Sequence, residues 1–262
     1  MDLKNKKLFL LDMDGTIYLD DNLFEGTLEF LEYIKSIKGK YMFLTNNSSK
    51  SVDKYIEKLK KIGITSCKDD FLTSTNATII YLKNKNYNKI YALGTQSFKE
   101  QLKASGLNIV DELVDNIDCL CMGFDTELTF KKLEDACILL GKGVDYIATN
   151  PDWVCPTWYG FVPDCGSVSQ ILFNATKRMP TFIGKPQPEM INLAIEKSGF
   201  THNQAIIFGD RLYTDIACGV NAGITTVFVL SGEGTMKDLE NSDVKPTYVY
   251  KNIKEYYDEN CK

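Results

Sequence analysis

Short runs of almost unbroken hydrophobicity alternate along this chain with stretches of helical periodicity, and that alternation narrows the fold more than any other feature. The runs are "KLFLLD" (7 to 12), "YMFLT" (41 to 45), "AIIFGD" (205 to 210) and "TTVFVL" (225 to 230). A strand that is apolar on both sides must be covered on both faces, as in a parallel sheet between helical layers. Between the runs, "TLEFLEYIKSIK", "SVDKYIEKLKKIG", "PEMINLAIEKSG" and "LYTDIACGVNAG" carry apolar residues at helical spacing with glycine near their C-termini. The pattern predicts an α/β fold with a doubly wound, Rossmann-like parallel sheet.

A second α/β alternation occupies the middle of the chain. Strands are expected at 89 to 94, 118 to 124 and 145 to 150, with helices near 96 to 105 and 129 to 141. It begins after the polar "KNKNYNK" and ends near "TKRMPTFIGKP", both plausible crossing points. We read residues 81–181 as a smaller α/β domain inserted into a core of residues 1–80 and 182–262. A chain of 262 residues can bury both cores.

Composition excludes several functions. With 44% hydrophobic and 25% charged residues the chain reads as a soluble globular protein. A net charge of -5, with Arg178 and Arg211 as the only arginines, argues against nucleic acid as a partner. An anionic ligand would then rest on lysine, backbone N–H groups or a metal. The N-terminal "MDLKNKKLFLLDMD" reaches acids before a signal-peptide core could form, and no stretch approaches the roughly 18 apolar residues of a membrane helix. No membrane partner and a cytoplasmic location are therefore expected. The eight cysteines form no CxxC pair and have no neighbouring histidine, so they read as reduced structural thiols. The single histidine, His202 in the polar turn "SGFTHNQA", reads as a solvated surface imidazole, which leaves little room for Ser-His or Cys-His catalysis.

The chemistry gathers at strand ends. In "DMDGT", Asp12 and Asp14 stand two residues apart, which on an extended strand puts them on one side about 6.6 Å from each other. Gly15 then permits a turn that brings backbone N–H groups toward a ligand. "FLTNNSS" ends a strand in Thr45, Asn46 and Asn47 and runs through "SK" into a helix, an arrangement that suits an anion. "FIGKPQPEM" sets Lys185 between a glycine and a proline, and "IIFGDRLYTDI" places Asp210 at a strand end with Asp215 about a turn later. Each has a bland alternative: an Asx turn, ordinary helix caps, an exposed lysine. Taken together, acids converging on one sheet edge would repel by about 4 kcal/mol per pair at 4 Å and an effective dielectric of 20. A divalent cation removes that penalty, and oxygen-only ligands make Mg2+ the first choice.

These residues resemble the motifs of the haloacid dehalogenase superfamily of phosphohydrolases, which read DxDGT, a strand-end Thr or Ser, Lys, and GDxxxxD. All four occur here in order, as "DMDGT", "TNN", "GKP" and "GDRLYTD". The insertion, with "ATNPD" and "PDCGSVS", looks like the α/β (C2-type) cap of the NagD-like or nitrophenylphosphatase subfamily. The resemblance implies that Asp12 attacks phosphorus to give an aspartyl-phosphate and that Asp14 serves as acid and then base. It implies Mg2+ on the Asp12 carboxylate, the Asp14 carbonyl and Asp210, with Asp215 in support, and Thr45, Asn46 and Lys185 on the phosphoryl oxygens. Arg211 and Tyr213 stand at variable positions of the fourth motif. Leaving-group selection is expected from "NPDWVCPTWYGFVPDCGS", with Asp152, Trp153, Cys155 and Trp158 as candidates, although both tryptophans can equally pack the cap. "PDCGS" is expected to serve the return to the core.

The expected function is therefore Mg2+-dependent hydrolysis of a small phosphorylated metabolite, whether a nucleotide, a sugar or glycerol phosphate, pyridoxal phosphate or phosphoglycolate. A receiver module would be about half as long and would not carry DxD on its first strand. A non-hydrolytic sensor of such a metabolite, and a phosphotransferase on the same site, stay open, as does a homodimer formed through the cap.

Overall fold

The computed structural model describes residues 3–157 and 159–262. They form two compact units: Met1–Thr45, Val52–Leu72 and Lys185–Lys262 in the first, Asn46–Ser51 and Thr73–Gly184 in the second.

The first unit is built on a six-stranded sheet in the order Tyr248–Tyr250, Thr225–Val229, Ala205–Gly209, Leu8–Leu11, Lys40–Thr45, Phe71–Thr73. Leu8–Leu11 runs parallel to both neighbours, with Leu10 opposite Met42 on one side and Ile207 on the other. All four of its residues are buried, which is why the run shows no polar alternation. Phe30, from helix Thr27–Ser36, and Tyr256, from helix Ile253–Asn260, meet Phe208 edge-on at centroid distances of 5.3 and 4.7 Å. Such edge-to-face contacts add to the area these rings bury. Chain order reverses beside Leu8–Leu11: the strands that follow it in sequence lie on one side and the C-terminal strands on the other. Ligands of open α/β sheets bind outside the carboxyl ends of strands at such a switch point.

The second unit has its own parallel sheet, ordered Thr181–Phe182, Asp145–Ala148, Cys119–Met122, Ile90–Leu93, Ile109–Val110. Helices Phe130–Gly141 and Cys165–Thr176 contribute Ala136, Leu139, Leu140, Val168 and Leu172 to its core. Val154–Thr157 and Gly160–Pro163 pair as an antiparallel hairpin.

The helix expected near 129 to 141 is present as Phe130–Gly141, with Thr129 as its N-cap accepting from Lys132 N–H. Other local expectations are revised. The segment 46–51 is stitched into the second unit: Ser48 Oγ lies 2.9 Å from Thr149 Oγ1 and accepts from Phe124 N–H, and Ser49 C=O accepts from the Thr95 hydroxyl. "PDCGS" does not return the chain to the first unit, because Asp164 caps Cys165–Thr176, itself part of the second; the return comes at Gly184–Lys185. His202 is exposed, as expected, with Nε2 3.1 Å from Asn192 Oδ1. All eight cysteines are free. Among the described residues no helix is long and apolar enough to cross a membrane.

Candidate active site

The strand Leu8–Leu11 stops one residue before Asp12, so the two acids of "DMDGT" do not share an extended strand. Asp12 N–H still donates to Phe208 C=O at 3.0 Å, which holds Asp12 in line with the sheet edge. The backbone then turns: Met13 C=O accepts from Thr16 and Ile17 N–H, and Asp14 is drawn into a bridge with Tyr18. Asp12 is thus aimed past the carboxyl end of the sheet, while Asp14 faces Tyr18 and Lys58.

Carboxylate oxygens of Asp12, Asp210 and Asp215 lie within 4.8 Å of one another. Asp210 follows the strand Ala205–Gly209, and Asp215 lies in a π-turn over Leu212–Ile216, an irregular turn often found at functional sites. Asp215 Oδ2 accepts from Arg211 N–H at 3.1 Å. The Lys185 ammonium stands 2.5 Å from Asp12 Oδ1 and 2.5 Å from Asp215 Oδ1, and donates to Leu44 C=O at 3.3 Å. Lys185 is buried, so the exposed-lysine alternative does not apply; its bond to Pro186 is cis.

Electrostatics follow from this crowding. Burial is the largest influence on Asp12 and, with Asp215, drives its carboxyl well above the usual range against the opposing pull of Lys185. Burial and Asp215 push Asp210 up to about 7. Burial alone would lower the Lys185 ammonium, but Asp12 and Asp215 outweigh it and leave it raised. One lysine cannot neutralise three carboxylates, and Arg211 is already paired with Glu233 at 2.8 Å.

The donor set fits a hard divalent cation. It consists of oxygens only, and Asp210 Oδ1 is buried with no hydrogen-bond partner while Oδ2 accepts from Glu233 N–H at 2.7 Å. Around that carboxylate the backbone comes too close for side chains: a Cβ on Gly15 or Gly232 would collide with Asp210. Gly15 also sits at φ +83°, which glycine adopts without strain. The loop 231–234 was missed in the sequence. Ser231 Oγ donates to Gly15 C=O at 2.7 Å and Gly234 N–H to Asp210 C=O at 3.0 Å, so "SGEG" walls the acid in. Its paired glycines were the available signal.

Thr45 is buried at the end of Lys40–Thr45, the strand beside Leu8–Leu11, on the same sheet edge as Asp12. Asn46 follows directly, is buried in the second unit, and its C=O accepts from Ser74 Oγ at 2.7 Å. The helix begins only at Val52.

Of the specificity candidates, Cys155 lines a cleft of about 460 Å³ within the second unit, together with Asn47, Lys50, Asp125 and Tyr159. Asp152 is buried instead: Asn150 Nδ2 donates to its Oδ2 at 2.8 Å and to Asp164 Oδ1 at 3.3 Å. Burial, with Asp152 second, pushes Asp164 up to about 7. Trp153 is half exposed, so it does not pack the core of its unit, and Trp158 lies outside the described residues.

Comparison with known proteins identifies the family. Residues 9–108 match the family model for haloacid dehalogenase-like hydrolases, and residues 182–256 match a second, HAD-hydrolase-like model. The acid sugar phosphatase of Staphylococcus haemolyticus is 32% identical over 252 residues, 96% of this chain and 95% of that protein. The chain belongs to the haloacid dehalogenase-like hydrolases, as a NagD-like phosphatase. Within this family, the structure of the 4-nitrophenylphosphatase of Thermotoga maritima superposes with a TM-score of 0.92 at 43% identity, covering 98% of each chain. The glycerol phosphate phosphatase of Mycobacterium tuberculosis in complex with magnesium is similar at TM-score 0.88 and 26% identity, over 97% of this chain and 77% of that one.

Proposed function

We propose that this phosphatase hydrolyses sugar or glycerol phosphates with Mg2+ through an aspartyl-phosphate on Asp12. The observation that carries the reading is the Asp12 carboxylate held 2.5 Å from the Lys185 ammonium, among Asp210 and Asp215, at the switch point of the sheet. The substrate class rests on the acid sugar phosphatase and glycerol phosphate phosphatase relatives, and the choice of Mg2+ on the latter's complex and the oxygen-only donors.

The Asp12 and Asp210 carboxylates and the Asp14 carbonyl would hold Mg2+, with Asp215 in support. The ion supplies positive charge where an anionic nucleophile meets an anionic ester. Asp12 Oδ attacks phosphorus as the bond to the ester oxygen breaks, and Asp14 gives that oxygen its proton so that the alcohol departs. Water then attacks the same phosphorus, Asp14 takes its proton, and Asp12 is released with inorganic phosphate. Thr45, Asn46 and the Lys185 ammonium stabilise charge on the phosphoryl oxygens. Within the second unit, which corresponds to the inserted cap, Cys155 and the cleft it lines are the candidates for substrate selection.

Phosphate release from sugar and glycerol phosphates, with Mg2+ and with EDTA, tests this reading. Metal-dependent release abolished by Asp12→Asn is expected. Release that survives the substitution would overturn the mechanism, and binding without release would favour a sensor. Transfer to added alcohols in place of water would favour a phosphotransferase.

A further inference from the structure

Asp14 is gripped from two sides by residues outside the four motifs. The Tyr18 hydroxyl donates to Asp14 Oδ2 at 3.3 Å, and the Lys58 ammonium lies 3.5 Å from Asp14 Oδ1. Lys58 Nζ also sits 3.8 Å from the centroid of the Tyr18 ring, over its π face. Tyr18 is fully buried in the core of the first unit, so its ring is a fixed platform. Lys58 lies on helix Val52–Lys61 beside Leu59, which is anchored in the same core. The Asp14 side chain itself is 41% exposed and, without these partners, would be free to rotate.

We infer that Lys58 and Tyr18 are positioning residues that fix the carboxyl group of Asp14 for proton transfer to the leaving oxygen. The inference rests on the acid and base roles proposed for Asp14. Each contact is long and partly exposed, so neither is worth much as stabilisation. Their joint effect is orientational: with one donor at each oxygen and the cation seated on the ring, the carboxyl group has one preferred setting. Proton transfer requires hydrogen-bond reach, and a displacement of about 1 Å can cost on the order of a hundredfold. Neither residue needs to touch the substrate.

An ester whose leaving group departs without a proton should be nearly blind to this clamp, whereas an alkyl ester should depend on it. The readout is kcat/KM for 4-nitrophenyl phosphate against that for a sugar or glycerol phosphate which the wild-type enzyme turns over. This quantity covers only the steps up to departure of the alcohol, and the ratio between substrates does not depend on the fraction of enzyme folded. Lys58→Met is expected to lower kcat/KM for the alkyl ester at least about tenfold more than for the aryl ester. Lys58→Arg should recover most of the difference, and Tyr18→Phe should show the same bias. Parallel losses on both esters, or an unaltered ratio, would overturn the inference, as would a wild-type enzyme confined to aryl esters. Failure of the underlying reading would look different: an Asp12→Asn variant that still hydrolyses both.

Discussion

The Lys185 ammonium and the Asp12 carboxylate meet at 2.5 Å although they are 173 residues apart in sequence. Lys185 is therefore a countercharge for the acids, a role separate from the one proposed for it on phosphate. Lys185→Met leaves the acids without their one ammonium, and breaking a buried pair in this way costs about 3–5 kcal/mol. Protonation relieves that cost at low pH. In EDTA, the loss of Tm in Lys185→Met relative to wild type is expected to be larger at pH 8 than at pH 5.5; an equal loss at both would contradict the countercharge role.

Asp210 Oδ1, buried and unpartnered, should make the fold respond to metal. A ligand bound only by the native state at a hundred times its Kd stabilises by about 2.7 kcal/mol. Saturating Mg2+ is thus expected to raise Tm by several degrees, and Asp210→Asn to abolish most of that rise. Thermal unfolding with Mg2+ and with EDTA measures it, and an unaltered rise in Asp210→Asn would place the metal elsewhere.

Gly232 stands where a Cβ would enter the space of the Asp210 carboxylate. Gly232→Ala should keep its circular dichroism while losing about 10- to 100-fold in kcat/KM, since roughly 1 Å of misplacement has that scale of cost. Gly141 offers a control in open space at the end of its helix, where alanine should be neutral or stabilising by about 0.5–1 kcal/mol.

Burial first, and then Asp152, push the Asp164 carboxyl up to about 7. Unfolded, an aspartate titrates near ~3.9. Between these values the folded chain binds the extra proton, so Asp164 lowers stability as pH rises from about 4 to about 7, by at most ~1.4 kcal/mol per unit. Asp164→Asn can still accept from Cys165 N–H and should flatten this part of the profile. Urea unfolding at pH 5, 6 and 7.5 in EDTA checks the slope; an unchanged slope would contradict the assignment.

The strand ends were legible in the sequence because a strand buried on both faces stops abruptly where polar residues begin. That break marks Thr45 and Asp210, and Lys185 stood out between glycine and proline. Asp14 was harder. Period-two spacing places it beside Asp12, but the strand ends at Leu11 and the turn at Met13 re-aims it toward Tyr18. Lys58 gave no signal, since a lysine on an amphipathic helix reads as a solvated residue until the fold brings it over a ring. Segment 46–51 reads as a helix lead-in because serine and asparagine are ordinary caps, whereas the Ser48 hydroxyl serves both Thr149 and Phe124, far along the chain.

The most direct test of the account is to quench the enzyme with acid during turnover of a sugar or glycerol phosphate with Mg2+, and to map phosphate on its peptides by mass spectrometry. One phosphoryl group on Asp12, absent from Asp12→Asn, is the predicted result. Phosphate release at the full rate with Asp12 unmodified throughout would contradict it.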